Sequence, residues 1–195
     1  MQLVLGSQSP RRRELLRQLG LDFTVRAADL DESKYETDDP EQTVRATCAA
    51  KARAVAAVSE PGELILTSDT IVVLDGRIMG KPHSPAEAEA MLTALSGRTH
   101  RVYTAFTLLP VGGEAQTECA HTEVRFRSLS PAEIRAYVAS GEPMDKAGAY
   151  GIQGLGAVLV EGITGDYFTV MGLPLCRVAL RLRDYGVEVL REDGR

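Results

Sequence analysis

The sequence predicts an α/β fold built on a mixed sheet, and three observations carry that expectation. Short apolar runs alternate with segments of helical periodicity along the whole chain. The first such run, Leu3-Val4-Leu5, passes through a polar turn directly into a helix. Hairpin signals then interrupt the strand–helix alternation, so the sheet cannot be wholly parallel.

Each element follows from its own residues. Ser9 suits an N-cap, Pro10 the first helical position and Gly20 the far end, while Leu15, Leu16 and Leu19 give this helix its apolar face. Phe23 to Arg26 reads as a second strand, followed by the acidic loop Asp29-Leu30-Asp31-Glu32-Ser33. Asp39-Pro40-Glu41-Gln42 has capping-box spacing and starts a long helix reaching about Val58. Leu64 to Thr67 is a buried strand ending at Ser68-Asp69. Ile71 to Leu74 and Ile78-Met79 flank Asp75-Gly76, a strong hairpin signal. Two more helices start at Ser84-Pro85-Ala86-Glu87 and Ser130-Pro131-Ala132-Glu133, separated by two long strands, Arg101 to Leu109 and Ala120 to Arg127. A glycine-rich turn, a hairpin around Thr164-Gly165-Asp166 and a helix from about Pro174 to Asp184 complete the order.

Composition narrows the function. A chain of 195 residues with 44% hydrophobic content can bury a substantial core as one domain or two closely joined lobes. A net charge of -5 and a pI near 5.3 argue against a surface devoted to nucleic acid, and an aromatic content of 5% leaves few residues to stack on bases. No apolar run approaches the roughly 18 residues of a membrane span, and the N-terminus lacks the layout of a signal peptide. Cys48, Cys119 and Cys176 are odd in number and widely separated, which fits neither a disulfide framework nor a zinc site. A cytoplasmic protein with no membrane or stable nucleic-acid partner is expected.

Five segments carry chemistry. Arg11, Arg12 and Arg13 crowd the first turn of a helix, where the dipole and unpaired N–H groups are already electropositive. With Ser7 and Ser9 beside them, they read as a phosphate site rather than a solvated basic face. Asp69, placed after an apolar strand, is either a metal ligand or proton acceptor at a ligand crevice, or the Asx-turn that ends the strand. Lys51 interrupts the stripe Val44, Cys48, Val55, Val58, so it either snorkels out or points into a polar cavity at the core edge. Gly76-Arg77-Ile78-Met79-Gly80-Lys81-Pro82 is not a Walker A loop: three residues separate its glycines, and Pro82 follows the lysine. Lys81 is left as a single phosphate contact on extended backbone or an ordinary surface lysine. Four glycines fall in the nine residues Gly148 to Gly156, and Gln153 among them offers both a donor and an acceptor suited to a base edge.

Taken together, these motifs resemble one family. Ser7-x-Ser9-Pro10-Arg11-Arg12, Asp29-Leu30-Asp31-Glu32, Ser68-Asp69-Thr70, Gly80-Lys81-Pro82, Ser96-Gly97-Arg98-Thr99-His100 and Asp145 to Gly154 have the order and spacing of the Maf (septum formation) nucleotide pyrophosphatases. The resemblance runs from about Leu3 to the last helix and implies a single Maf-like domain over residues 1–195. It implies an elongated mixed sheet flanked by helices, two lobes around a cleft, similar to the inosine triphosphate pyrophosphatases. The implied reaction converts a nucleoside triphosphate to the monophosphate and pyrophosphate with a divalent cation (Mg²⁺, Mn²⁺ or Co²⁺). It cleans the nucleotide pool, and the family name adds an influence on septum formation. A homodimer is compatible with the family.

By resemblance Asp69 accepts the proton; Lys51, Lys81 and Glu32 complete the catalytic set, Lys51 and Lys81 also holding the triphosphate, Asp69 binding the metal and Glu32 assigned to metal or water positioning. Ser7 and Arg12 bind phosphate, and Arg11, Thr70 and Gln153 select the base. The branch of the family acting on dTTP and UTP resembles this chain at those three positions. The branch acting on 7-methyl-GTP carries Trp, Gln and Glu there instead. Gly6 stands where alanine is common, and Arg13 extends the basic pair. A nucleotide-sensing regulator and a nucleic-acid module are the competing classes; the Asp69, Lys51 and Lys81 set favours catalysis over the first, and the acidic pI disfavours the second.

Overall fold

The structure, a computed structural model, describes residues 1–190. Its strands are β1 (Gln2–Leu5), β2 (Phe23–Val25), β3 (Glu63–Leu74), β4 (Arg77–Met79), β5 (Thr99–Pro110), β6 (Gln116–Phe126) and β7 (Val160–Thr164). The helices are α1 (Pro10–Gln18), α2 (Pro40–Ala56), α3 (Pro85–Leu95), α4 (Pro131–Ala139), α5 (Tyr167–Met171) and α6 (Leu175–Leu182). The strands form one seven-stranded sheet in the order β2-β1-β3-β5-β6-β7, with β4 paired to β3. β1 runs parallel to both β2 and β3, whereas β3–β4 and β6–β7 are antiparallel. The mixed α/β architecture expected from the sequence is the one observed. No helix among the described residues is long and apolar enough to cross a membrane.

The chain divides into two compact units. The first comprises residues 1–69, 104–120 and those from 172 onward. Its core places Val4 of β1, Ile65 of β3 and Leu109 of β5 against Ala52 and Val55 of α2. Register Leu3↔Leu64 and Leu5↔Leu66 sets β1 beside β3, and β1 leads directly into the turn that opens α1. The second unit comprises residues 70–103 and 121–171. Leu92 and Leu95 of α3, Ile134 and Val138 of α4, and Val124 and Phe126 of β6 form its core.

Three local expectations change. β3 does not stop at Thr67: it continues without a break to Leu74, so Asp69 lies inside a strand and makes no Asx-turn. Backbone pairing across a sheet supplies what a turn would otherwise provide. Thr164-Gly165-Asp166 is not a hairpin but the entry to α5, where the Asp166 carboxylate accepts the N–H groups of Phe168 (3.2 Å) and Thr169 (2.8 Å). Of the three helices with capping-box spacing, only α4 closes the box, Ser130 and Glu133 bonding reciprocally. Ser84 caps Glu87 N–H while the Glu87 carboxylate turns to His83 N–H, and Asp39 caps Glu41 one residue earlier than the box requires. Asp75 and Gly76, at φ 51° and 77°, make the β3–β4 turn as its sequence predicts.

Candidate active site

The first unit holds six of the expected site residues: Ser7, Arg11, Arg12, Glu32, Lys51 and Asp69. At the end of β1, the Ser7 hydroxyl accepts Ser9 N–H (3.2 Å) and a guanidinium N–H of Arg12 (3.2 Å). Ser9 caps α1 and Pro10 occupies its first turn, so the start of the helix is fixed by local chemistry. Arg12 Nε donates to the Gly172 carbonyl at 2.8 Å, bolting the arginine to a segment 160 residues away. Burial of the Arg12 guanidinium lowers its pKa, an effect opposed by the negative charge of Asp69. A desolvated cation next to an N-terminal helix turn attracts an anion strongly. Arg11 shares that turn, and its like charge further lowers the Arg12 pKa.

Lys51 resolves the choice left open by the sequence: it does not snorkel. Its Nζ lies 2.7 Å from Asp69 Oδ1 and 2.8 Å from Glu32 Oε1. Cys48 and Val55, one turn away on either side, are buried in the core, and this leaves Lys51 pointing along the core edge. The Asp69 side chain is only 11% exposed, whereas Glu32, in the 3₁₀ turn Glu32–Tyr35, is 56% exposed. One carboxylate is thus shielded and the other reaches solvent.

The pair of carboxylates fits a divalent cation in one particular manner. Among the described residues no group of three or more His, Cys, Asp or Glu side chains could cage a metal. Mg²⁺ is typically held by one or two carboxylates, with waters and substrate phosphates completing its shell. Asp69 and Glu32 meet that requirement, and the Lys51 ammonium already rests against one oxygen of each.

Thr70, Lys81 and Gln153 belong to the second unit. Thr70 is half-buried on β3, Lys81 is exposed after β4, and Gln153 is exposed ahead of the 3₁₀ turn Gly154–Leu159. The Lys81 segment and the glycine segment meet through Gly148 N–H and the Gly80 carbonyl, 3.0 Å apart. Gly148 (φ 69°) leaves no room for a side chain, because a Cβ there would stand 2.9 Å from Val72 Cγ1.

Two contributors were not foreseen. The Ser68 hydroxyl lies 2.9 Å from the Ala105 carbonyl and 2.8 Å from that of Gly172, the group that anchors Arg12. Glu142 accepts the Tyr137 hydroxyl and two backbone N–H groups of the glycine segment. Both sets join positions far apart in sequence or inside an aperiodic turn, where spacing carries no signal. The glycine at 172, with φ 101° just after α5, was the one available hint of a sharp turn.

Comparison with known proteins agrees with the motif reading. A family model described as Maf-like protein matches residues 2–185. The dTTP/UTP pyrophosphatase of Moorella thermoacetica is 57% identical over 189 residues, covering 96% of each chain. That of Symbiobacterium thermophilum is 50% identical over 188 residues, again 96% of each. Among solved structures, a dITP/XTP pyrophosphatase from Mycobacterium abscessus is similar at a TM-score of 0.46 and 14% identity, covering 95% of this chain and 96% of that one. The model match and the full-length relatives place this chain in the Maf family.

Proposed function

We propose that the protein hydrolyses dTTP and UTP, with modified pyrimidine triphosphates of the same shape, to the monophosphate and pyrophosphate in the cytoplasm. The observation that carries this reading is the Lys51 ammonium held between Asp69 and Glu32 in the unit that also fixes Arg12 against Ser7. Relatives matched along nearly their whole length bear names for that activity, which supports it.

In the proposed reaction, a water oxygen attacks the α-phosphorus and its proton passes to Asp69. The bond from the α-phosphorus to the bridging oxygen breaks, and its electron pair leaves with pyrophosphate. Lys51, 2.7 Å from Asp69 Oδ1, orients that carboxylate for the transfer. Ser7 and Arg12 hold the phosphates, with Lys81 as a further contact; Arg11, Thr70 and Gln153 select the base. Asp69 and Glu32 would hold a divalent cation (Mg²⁺, Mn²⁺ or Co²⁺), which when bound neutralises phosphate charge and acidifies water. Pyrophosphate release from dTTP, UTP, CTP, GTP and 7-methyl-GTP, with and without Mg²⁺ or Mn²⁺, tests the reading. Metal-dependent release from dTTP and UTP is expected, and Asp69→Asn should bind nucleotide while losing on the order of 10²- to 10⁴-fold in turnover. Activity on 7-methyl-GTP alone would overturn the specificity, and full activity in Asp69→Asn would overturn the base.

A further inference from the structure

We infer that Tyr137 and Glu142 act as a clasp that positions Gln153 and thereby sets base selectivity, an inference that rests on the base-reading role proposed for Gln153. The clasp closes on both sides of that residue. Before it, Gly151 N–H donates to the Tyr137 hydroxyl at 3.2 Å. After it, Leu155 N–H donates to Glu142 Oε2 at 2.9 Å and Gly156 N–H to Oε1 at 3.0 Å. The two halves are joined because the Tyr137 hydroxyl itself donates to Glu142 Oε1 at 2.9 Å. A segment of six residues, 151–156, is therefore tied at both ends to one pair of side chains.

The anchors are rigid. Tyr137 is buried in the core of the second unit on α4, and Glu142 sits just past the helix in the 3₁₀ turn Glu142–Asp145. Burial, the largest single influence, works against the charge of Glu142, but the amides of Gly156 and Leu155, the Tyr137 hydroxyl and the Lys146 charge together hold the carboxyl below its usual range. An ionised carboxylate is acceptor-only, which suits a site facing two N–H groups and a hydroxyl. The backbone wraps closely: a Cβ on Gly154 would stand 2.7 Å from Glu142 Oε2, and one on Gly156 would collide with the Gly151 carbonyl and lie 2.6 Å from the Tyr137 hydroxyl. Gln153 stays exposed between the tied ends, its side chain making no cap bond to the turn that follows. A hydrophobic residue at 142 would leave the Leu155 and Gly156 amides and the Tyr137 hydroxyl without this acceptor. The carboxylate earns its place by fixing a loop whose one exposed amide side chain is aimed outward.

The test uses equilibrium binding of the non-hydrolysable α,β-methylene analogues of dTTP and CTP to the full-length protein, with kcat on dTTP measured alongside. Tyr137→Phe removes the acceptor for Gly151. Glu142→Gln turns an NH₂ group towards one of the backbone donors. Each should cut the preference for the thymidine analogue on the order of tenfold, with kcat changed by no more than about twofold. Combining Glu142→Gln with Gln153→Ala should cost no more preference than Gln153→Ala alone, because the clasp acts through that residue. Preference kept in Tyr137→Phe and Glu142→Gln but lost in Gln153→Ala overturns the clasp and leaves the role of Gln153 standing. Preference kept in Gln153→Ala as well overturns both. Additive losses in the double variant also overturn the clasp. Tyr137→Phe, which keeps the buried ring, decides the matter if Glu142→Gln fails to fold.

Discussion

Gly6 shows how a single residue type is dictated by its neighbour. It lies between β1 and the Ser7 turn, and its N–H donates to the Leu66 carbonyl at 2.8 Å. A Cβ there would stand 2.6 Å from Thr67 Cγ2 and 3.2 Å from Val55 Cγ2. Thr67 cannot swing away, because its hydroxyl is fully buried and donates to the Cys48 carbonyl at 2.9 Å. Gly6→Ala should therefore destabilise the protein by about 1–3 kcal/mol. Adding Thr67→Ser, which removes the obstructing methyl and keeps the hydroxyl, should recover most of that loss. Urea unfolding of the single and double variants reads it out; equal loss in both would contradict the account. The resemblance marks Gly6 as a departure in the sequence, but the reason for glycine here lies on another strand. Lys51 is the converse case. Its place in an apolar stripe marked it as anomalous, and only the approach of Glu32 from the loop and Asp69 from β3 decides where its charge goes.

At the scale of elements, strand and helix identities were legible wherever the chain carried its own punctuation. Ser9-Pro10, Ser84-Pro85 and Ser130-Pro131 each open a helix as their spacing predicts, since cap and fixed φ are local properties. What the sequence could not decide was which partner a capping carboxylate chooses. Glu87 finds His83 N–H at 2.7 Å, while Glu133 returns to Ser130 N–H at 2.8 Å. The extent of β3 was also hidden, because Ser68-Asp69-Thr70 is polar and reads as a turn. Burial beneath neighbouring strands overrides that preference: Thr67, Ser68 and Asp69 are all buried in a continuous ladder. A carboxylate inside a strand is held more rigidly than one on a turn, which suits a proton acceptor. The glycine segment 148–156 was recognised as tight backbone, yet the carboxylate it wraps, Glu142, stood outside the motif.

At the scale of the whole molecule, a net charge of -5 conceals a local cationic turn, so composition excluded a basic surface without excluding an anion site. Global stability carries a second buried signature. His100 is 2% exposed, packed edge-on against Phe126 and Tyr150, with Nε2 2.7 Å from the Tyr150 hydroxyl and Nδ1 buried without a partner. Burial lowers its pKa from near 6.5 to about 4. The unfolded chain gains a proton at this residue as pH falls through 6.5, and the folded chain gains it only near 4. The contribution of His100 is therefore complete above pH 6.5 and is lost progressively towards pH 4, by roughly 3 kcal/mol in total. Unfolding free energies between pH 7 and 4 should fall more steeply in the parent than in His100→Gln, and parallel slopes would contradict this.

In the proposed reaction, water deprotonated by Asp69 attacks the α-phosphorus. Turnover of dTTP in ¹⁸O-labelled water measures that directly. The account predicts that the label appears in dTMP, with unlabelled pyrophosphate as the leaving group. Label in pyrophosphate, or release of orthophosphate, would place the attack elsewhere and contradict it.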